Sequence, residues 1–471
     1  MKHNVYEDTT ATLEKGHAYP RYLTITVFVA ALGGLLFGYD QGVMSGAVTF
    51  IGHTFQMSSG LLGFISGCIP LGAMVGCLVA GYLADRIGRK IMMFVSAILF
   101  ALSGVGCAVA PSVAILIASR LIGGLGIGMV STLVPLYIAE ISPKQVRGKM
   151  VGSYQLAVAS GIFVVYLVNA LIANTHSIAW NQDIGWRMMF LAGIIPGILF
   201  FALLFMIPES PRFLVSKNQE ERAKEIMGKV SYDSEQTINN EVKEIKSTVQ
   251  EEGATGGFLK ELLKKGTRMA LFIAVMCSVF QQLTGVSAVA YYAPVIFKNA
   301  GAGTGAAMIE TVLIGLVKVI FVAFFMGMID KLGRKRLLKW GGYGMAACML
   351  LLAFCFDQTS MAKMFDIFII ALIIIHTSIF EMSWGGGAWV LISEMFPNKI
   401  RGRASSIASF ALWGATYLVT QLFPVMLDKL GSVWTFVVFG IFCIAMGMFI
   451  QFFFNETAGK SLEEIQEDSK K

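Results

Sequence analysis

Twelve apolar stretches, each long enough to cross a bilayer, dominate this 471-residue sequence. Crossing the ~30 Å hydrocarbon core takes about 17–25 residues of helix. Lipid offers backbone N–H and C=O groups no partner, so only helices or closed barrels can cross it. The stretches are continuous apolar runs without the period-2 alternation of a half-buried strand, which selects helices. The expected cores are 22–48, 60–83, 91–110, 113–139, 150–172, 188–207, 268–297, 307–329, 337–356, 365–393, 403–427 and 433–454. With 56% hydrophobic and 14% charged residues, the composition excludes a soluble protein. The apolar run after Arg21 is too long for a cleaved signal peptide and reads as a retained span.

The net charge of +7 is unevenly distributed. DRIGRK (85–90), SPKQVRGK (142–149), residues 213–266, DKLGRKR (330–336), PNKIRGR (397–403) and the C-terminal tail hold most Lys and Arg, while each intervening loop holds at most one. Lys and Arg are retained on the cytoplasmic side, which places both termini and the 213–266 insert in the cytoplasm, beneath a cell membrane. The same clustering argues against a nucleic-acid partner. Seven cysteines all fall in apolar stretches without CxxC spacing, so neither a metal site nor a disulfide framework is expected. The sequence carries no catalytic triad, Walker loop or dinucleotide fingerprint, so neither an enzyme nor a cofactor is expected. GGLGIG (123–128) lies inside a span, where glycines serve close helix packing.

The two membrane halves resemble one another. Asp85-Arg86-Ile87-Gly88-Arg89-Lys90 recurs as Asp330-Lys331-Leu332-Gly333-Arg334-Lys335 after the second span of each half. Glu140 to Arg147 recurs as Glu394 to Arg401 after the fourth, with the same spacing. The divisions are residues 1–208, a six-helix bundle; 209–266, a cytoplasmic helical linker; 267–455, a second six-helix bundle; and 456–471, a cytoplasmic tail. Parallel repeats with a site at their interface are a transporter architecture. Asp85, Arg86, Arg89, Glu140, Arg147 and Glu209, with Asp330, Arg334, Glu394 and Arg401, are expected to pair across helix ends and hold the cytoplasmic face shut. In the linker, Ile238, Val242, Ile245 and Val249 form one stripe of a helix.

Four charges stand deep inside apolar spans. An ionised side chain at that depth costs at least a few kcal/mol and marks function when a partner exists. Asp40 lies 19 residues from Arg21, and Arg120 lies 20 from Glu140. At 1.5 Å per residue both sit roughly 28–30 Å from the cytoplasmic face, so spans one and four can pair them. Burial raises an acid's pKa and a guanidinium lowers it, which makes Asp40 a candidate proton site with Arg120 as its partner. Lys318 lies 12 residues from Asp330. That is roughly 18 Å deep, beyond the reach of a snorkelling stem. Glu381 lies 13 residues from Glu394, at a matching depth. Either Lys318 and Glu381 form a pocket-lining ion pair, or Lys318 contacts an anionic substrate group; the available counter-charge favours a neutral substrate. His376 reads as a hydrogen-bonded packing residue rather than a proton relay.

Ten motifs occur in order: FGYDQGVMSG (37–46), DRIGRK, RLIGGLGIG (120–128), PLYIAEISPKQVRG (135–148), GWRMMF (185–190), PESPRFL (208–214), QQLTGVSAVAYYAP (281–294), DKLGRK, SEMFPNKIRG (393–402) and NETAGKSLEEI (455–465). On these the sequence resembles, over essentially its whole length, the sugar porters of the major facilitator superfamily, and among them the bacterial proton-coupled pentose and hexose symporters. The resemblance implies an all-α membrane fold of twelve spans in two six-helix bundles, working as a monomer in lipid. It implies a monosaccharide substrate and proton coupling, because facilitators of the family tend to carry Asn where Asp40 stands. It assigns pocket roles to Gln155, Gln281, Gln282, Trp389 and Trp413, and outer closure to Phe37, Tyr291 and Tyr292. Four positions depart from the pattern. Ser287 and Lys318 stand where pocket Asn residues are usual. Leu412 replaces a polar residue before Trp413, and GGG (385–387) replaces a helix-breaking Gly-Pro. Apolar Ile162 leans the expectation from pentose towards hexose. An uncoupled facilitator, a transporter of a sugar acid or of a polyol such as inositol, and a membrane sugar sensor remain the alternatives.

Overall fold

A computed structural model describes residues 20–254, 265–357, 362–388, 391, 396 and 398–454. The first bundle comprises α1 (Arg21–Thr54), α2 (Ser59–Ile87), α3 (Arg89–Ala108), α4 (Val113–Ile141), α5 (Arg147–Thr175) and α6 (Ile178–Met206). The insert forms α7 (Pro211–Ser216), α8 (Glu220–Val230) and α9 (Glu235–Ala254). The second bundle comprises α10 (Lys265–Leu283), α11 (Val286–Ala300), α12 (Thr304–Leu332), α13 (Arg334–Asp357), α14 (Ala362–Phe380) and α15 (Asn398–Phe453).

Among the described residues, eleven helical stretches are long and apolar enough to span a membrane. The last, Ala404–Phe453, covers 50 residues. At 1.5 Å per residue that is about two and a half times the bilayer core. Its backbone leaves helical geometry at Gly431, so it supplies two spans and brings the total to twelve. Large apolar side chains such as Phe28, Ile195, Ile367 and Phe452 point outward from the bundles. This surface suits lipid, and the chain is a multi-pass membrane protein.

Glycines set the packing of the first bundle. A Cβ on Gly38 would lie 2.0 Å from the Val158 carbonyl oxygen, and one on Gly124 would lie 2.5 Å from that of Ile69. Helix α1 therefore meets α5, and α4 meets α2, backbone to backbone. Small residues permit such approach between membrane helices.

The second bundle departs from uniform helices. The expected seventh span is broken between α10 and α11 at Gly285, whose φ of 85° an L side chain rarely adopts. The tenth span widens into a π-turn over Glu381–Gly385, directly after α14. In the insert, Leu214, Val215, Ala223, Met227, Ile238 and Val242 form a small core of their own, with Ile245 packed against it.

Opposite the insert, the two halves touch. Gln421 Nε2 donates to the Gly60 carbonyl at 3.0 Å, Ser59 Oγ donates to Asp428 at 3.2 Å, and Tyr166 Oη donates to the Ala290 carbonyl at 2.8 Å.

Candidate functional site

Asp40 and Arg120 meet in the core of the first bundle. Arg120 Nη1 donates to Asp40 Oδ1 at 3.0 Å, and both residues are buried. The approach of α1 to α5 at Gly38 leaves Asp40 on the face turned towards α4. Asp40 Oδ2 and Arg120 Nε and Nη2 have no hydrogen-bond partner among the described residues. The Phe190 ring lies 5.5 Å from the guanidinium carbon. A carboxylate held by one bond, with its second oxygen free, can exchange a proton without dismantling a network. Breaking a buried ion pair by removing one member costs about 3–5 kcal/mol, so the two charges depend on each other.

A second buried pair lies in the other bundle. Lys318 on α12 donates to Glu381 Oε1 at the start of the π-turn, and Glu381 Oε2 has no partner among the described residues. Gln281 Nε2 on α10 donates to the carbonyls of Trp384 and Gly385 at 2.7 and 3.2 Å. Gln282 Nε2 donates to Gln281 Oε1 at 3.4 Å, and Ser287 Oγ donates to Gln282 Oε1 at 2.5 Å. The two amides expected to bind substrate are thus engaged with protein groups.

Gln155 is half-buried and makes no hydrogen bond among the described residues. Phe37 meets Trp413 edge-on across the two halves, with ring centroids 5.4 Å apart. Tyr292 Oη donates to the Thr420 carbonyl at 2.9 Å, while the buried Tyr291 hydroxyl has no partner among the described residues. Trp389 lies outside the described residues.

At the insert end, Glu140 is a hub. Arg89 Nε and Nη2 donate to its two oxygens at 3.1 and 3.2 Å, and Ser210 Oγ donates to it as well. Arg89 also pairs with Asp85 at 2.9 Å, and the Arg86 guanidinium sits 4.2 Å from the Tyr82 ring centroid. Glu209 caps α3 from outside, accepting the backbone N–H groups of Arg89 and Lys90 at 3.0 and 3.2 Å. A negative side chain satisfying orphan donors suits a helix N-terminus. Burial pushes the Glu209 carboxyl above its usual range, and bonds from the Ser210, Lys90 and Arg89 N–H groups pull it back. With the folded pKa above the unfolded one, the native chain binds this proton more tightly, so the group's contribution to stability falls as pH rises through that window. Glu209→Ala is expected to cost about 0.5–2 kcal/mol in thermal unfolding, as for loss of other helix caps. Unchanged unfolding would show that water replaces the cap freely.

Arg147 departs from the expected network. It is exposed and forms no ion pair among the described residues. Helix α4 ends at Ile141, the chain turns through Ser142 to Val146, and Arg147 opens α5. In the second half, Glu394 lies outside the described residues. Arg334 opens α13, while Asp330 and Arg401 are placed by their helices α12 and α15 alone. Sequence reasoning did not assign His376 its place beside the break of the seventh span. A lone His inside an apolar span was the available signal.

The family model for "Sugar (and other) transporter" matches residues 26–468. The chain belongs to this family. It is 38% identical to an arabinose-proton symporter of Bacillus subtilis over 439 residues, covering 93% of each protein. It is 37% identical to a D-xylose-proton symporter of Escherichia coli over 480 residues, covering 94% of this chain and 95% of that one. Its fold matches the partially occluded, inward-open structure of the xylose transporter XylE of E. coli. That match has a TM-score of 0.84 at 34% identity and covers 94% of this chain and all of the other. A sugar-transporter family member of this architecture, two bundles around a polar centre, is a transporter and not an enzyme.

Proposed function

We propose that this sugar-transporter family member imports a neutral pentose or hexose together with protons, by alternating access. The observation that carries the reading is the buried Asp40–Arg120 pair, in which Asp40 Oδ2 has no partner among the described residues. Relatives named as arabinose- and xylose-proton symporters support both the sugar and the proton. Protonation of Asp40 discharges the pair, weakens its hold on Arg120, and so alters how α1 and α4 sit against each other. Sugar occupies the space between the bundles, with Gln155 and the Phe37–Trp413 pair on its walls and Gln281, Gln282, Ser287, Tyr291, Lys318 and Glu381 on the second-bundle side. Tyr292 closes the outer end.

Amides and hydroxyls match sugar hydroxyls because they both donate and accept. Aromatic faces cover the C–H surface of a sugar ring. Lys318 is already neutralised by Glu381, which favours a neutral substrate over a sugar acid. The contacts joining the halves opposite the insert support a state closed on the outside. The alternating basic loops support cytoplasmic termini, a cytoplasmic insert and a plasma-membrane location. A site built within a single chain supports monomeric operation.

The test is uptake into proteoliposomes of D-xylose, L-arabinose, D-glucose, D-galactose, myo-inositol and D-glucuronate, with and without an inward proton gradient. A neutral pentose or hexose is expected to accumulate above equilibrium only with the gradient. Equilibration without accumulation would make the chain a facilitator, and preferential uptake of glucuronate would overturn the neutral-substrate reading.

A further inference from the structure

The two irregular helices of the second bundle hold each other's exposed carbonyls. At the break between α10 and α11, the Thr284 carbonyl accepts a bond from His376 Nε2 on α14 at 3.1 Å. A carbonyl only accepts, so Nε2 carries the proton. The imidazole is fully buried, and Nδ1 has no partner among the described residues. In the other direction, the carbonyls of Trp384 and Gly385 in the π-turn accept both bonds from Gln281 Nε2 on α10. Each irregularity therefore takes a side chain from the helix that carries the other, and the Thr284 carbonyl receives in addition only a long contact from Cys443 Sγ on α15 at 3.9 Å among the described residues. A carbonyl left unpaired in a buried break is costly, so neither segment shifts without disturbing its counterpart.

Gln281 has no spare donor. Its two N–H groups face two carbonyls, and its oxygen already accepts from Gln282. A sugar hydroxyl can accept from this amide only by taking an N–H from the π-turn. That turn carries Glu381, whose carboxylate is bound by Lys318.

We propose that His376 and Gln281 form a reciprocal clasp between the broken helix and the π-turn, with His376 as positioning residue, and that sugar capture by the Gln281 amide releases the π-turn. The sugar-release part rests on the sugar-transport reading; the clasp itself does not. His376 touches no substrate in this scheme. It fixes the break that aims Gln281, Gln282 and Ser287, and through Gln281 it steadies the turn on its own helix.

The experiment is hydrogen exchange by mass spectrometry on the full chain in lipid nanodiscs, without ligand, for wild type, His376→Phe and His376→Gln. Losing one buried bond of ordinary strength corresponds to about a tenfold change in local opening. His376→Phe is expected to speed exchange by about that factor both at 285–289 and at 384–388, although the second segment makes no bond to His376. His376→Gln places an amide N–H near the imidazole Nε2 and is expected to restore protection in both segments. Faster exchange at 285–289 alone, or no rescue by Gln, would overturn the clasp. Should the Phe variant fail to fold, His376→Asn, whose amide stops short of Thr284, takes its place with the same two outcomes.

Uptake of D-xylose and L-arabinose supplies the second readout. His376→Phe is expected to raise KM by about tenfold with a smaller effect on the maximal rate, and His376→Gln to reverse it. A fall in maximal rate at unchanged KM would contradict the positioning role. If wild type carries neither of these sugars nor D-glucose or D-galactose, the transport reading fails while the exchange data still decide the clasp.

Discussion

Asp40→Asn is expected to abolish sugar accumulation driven by a proton gradient while preserving counterflow exchange between sugar on the two sides. Asparagine has nearly the shape of a protonated aspartic acid and still offers an oxygen to Arg120 Nη1, which donates at 3.0 Å in the wild type. The variant therefore holds α1 and α4 in the discharged arrangement. It can pass sugar with protonation mimicked permanently, yet it cannot return the proton that makes transport uphill. Loss of accumulation should be complete within assay error. Stability should fall by less than the ~3–5 kcal/mol of outright partner removal, because the guanidinium keeps an acceptor. Labelled sugar uptake under an imposed pH gradient measures the first effect and thermal unfolding the second. Uphill accumulation by Asp40→Asn would remove Asp40 from the coupling step.

The second large effect concerns Lys318 and Glu381. Lys318→Met leaves a buried carboxylate without its cation, and Glu381→Met leaves a buried ammonium without its anion. Each single change is expected to cost about 3–5 kcal/mol, whereas the double change should recover most of that stability. The pair bridges α12 to the π-turn, so the double variant tests whether the bridge serves more than stability. If the pair also offers Glu381 Oε2 and the remaining ammonium N–H groups to substrate, the stable double variant will bind sugar less tightly. Additive losses in the singles and the double would show that the two charges are independently solvated.

The depth of the charges was legible in the sequence, and their bending partners were not. Asp40 and Arg120 each interrupt a long apolar run, so counting residues to the basic loops places them at one level, and the structure brings them into contact. The same counting aligns Lys318 with Glu381. Residue counts carry no information about where a helix breaks or which way a side chain turns. Gly285 sits in an otherwise helical pattern, and only its φ of 85° ends α10 there. That break, with the π-turn at Glu381–Gly385, diverts Gln281 to backbone carbonyls that a straight-helix reading never exposes. The recurring Glu140-to-Arg147 spacing marked both residues as members of a charge network at the helix ends, yet Glu140 takes its bonds from Arg89 and Ser210, and Arg147 is exposed. His376 read as a hydrogen-bonded packing residue, but its acceptor could not be named for the same reason: the Thr284 carbonyl lies at the break of the neighbouring helix.

Proton movement in wild-type proteoliposomes tests the coupling most directly. With no initial pH gradient and a counter-ion path open, the transported sugar is added outside and the external pH is followed. Sugar entering with protons should make the external medium alkaline, and Asp40→Asn should show sugar exchange with no such signal. Sugar entry into wild-type vesicles without any change in external pH would contradict proton-coupled import.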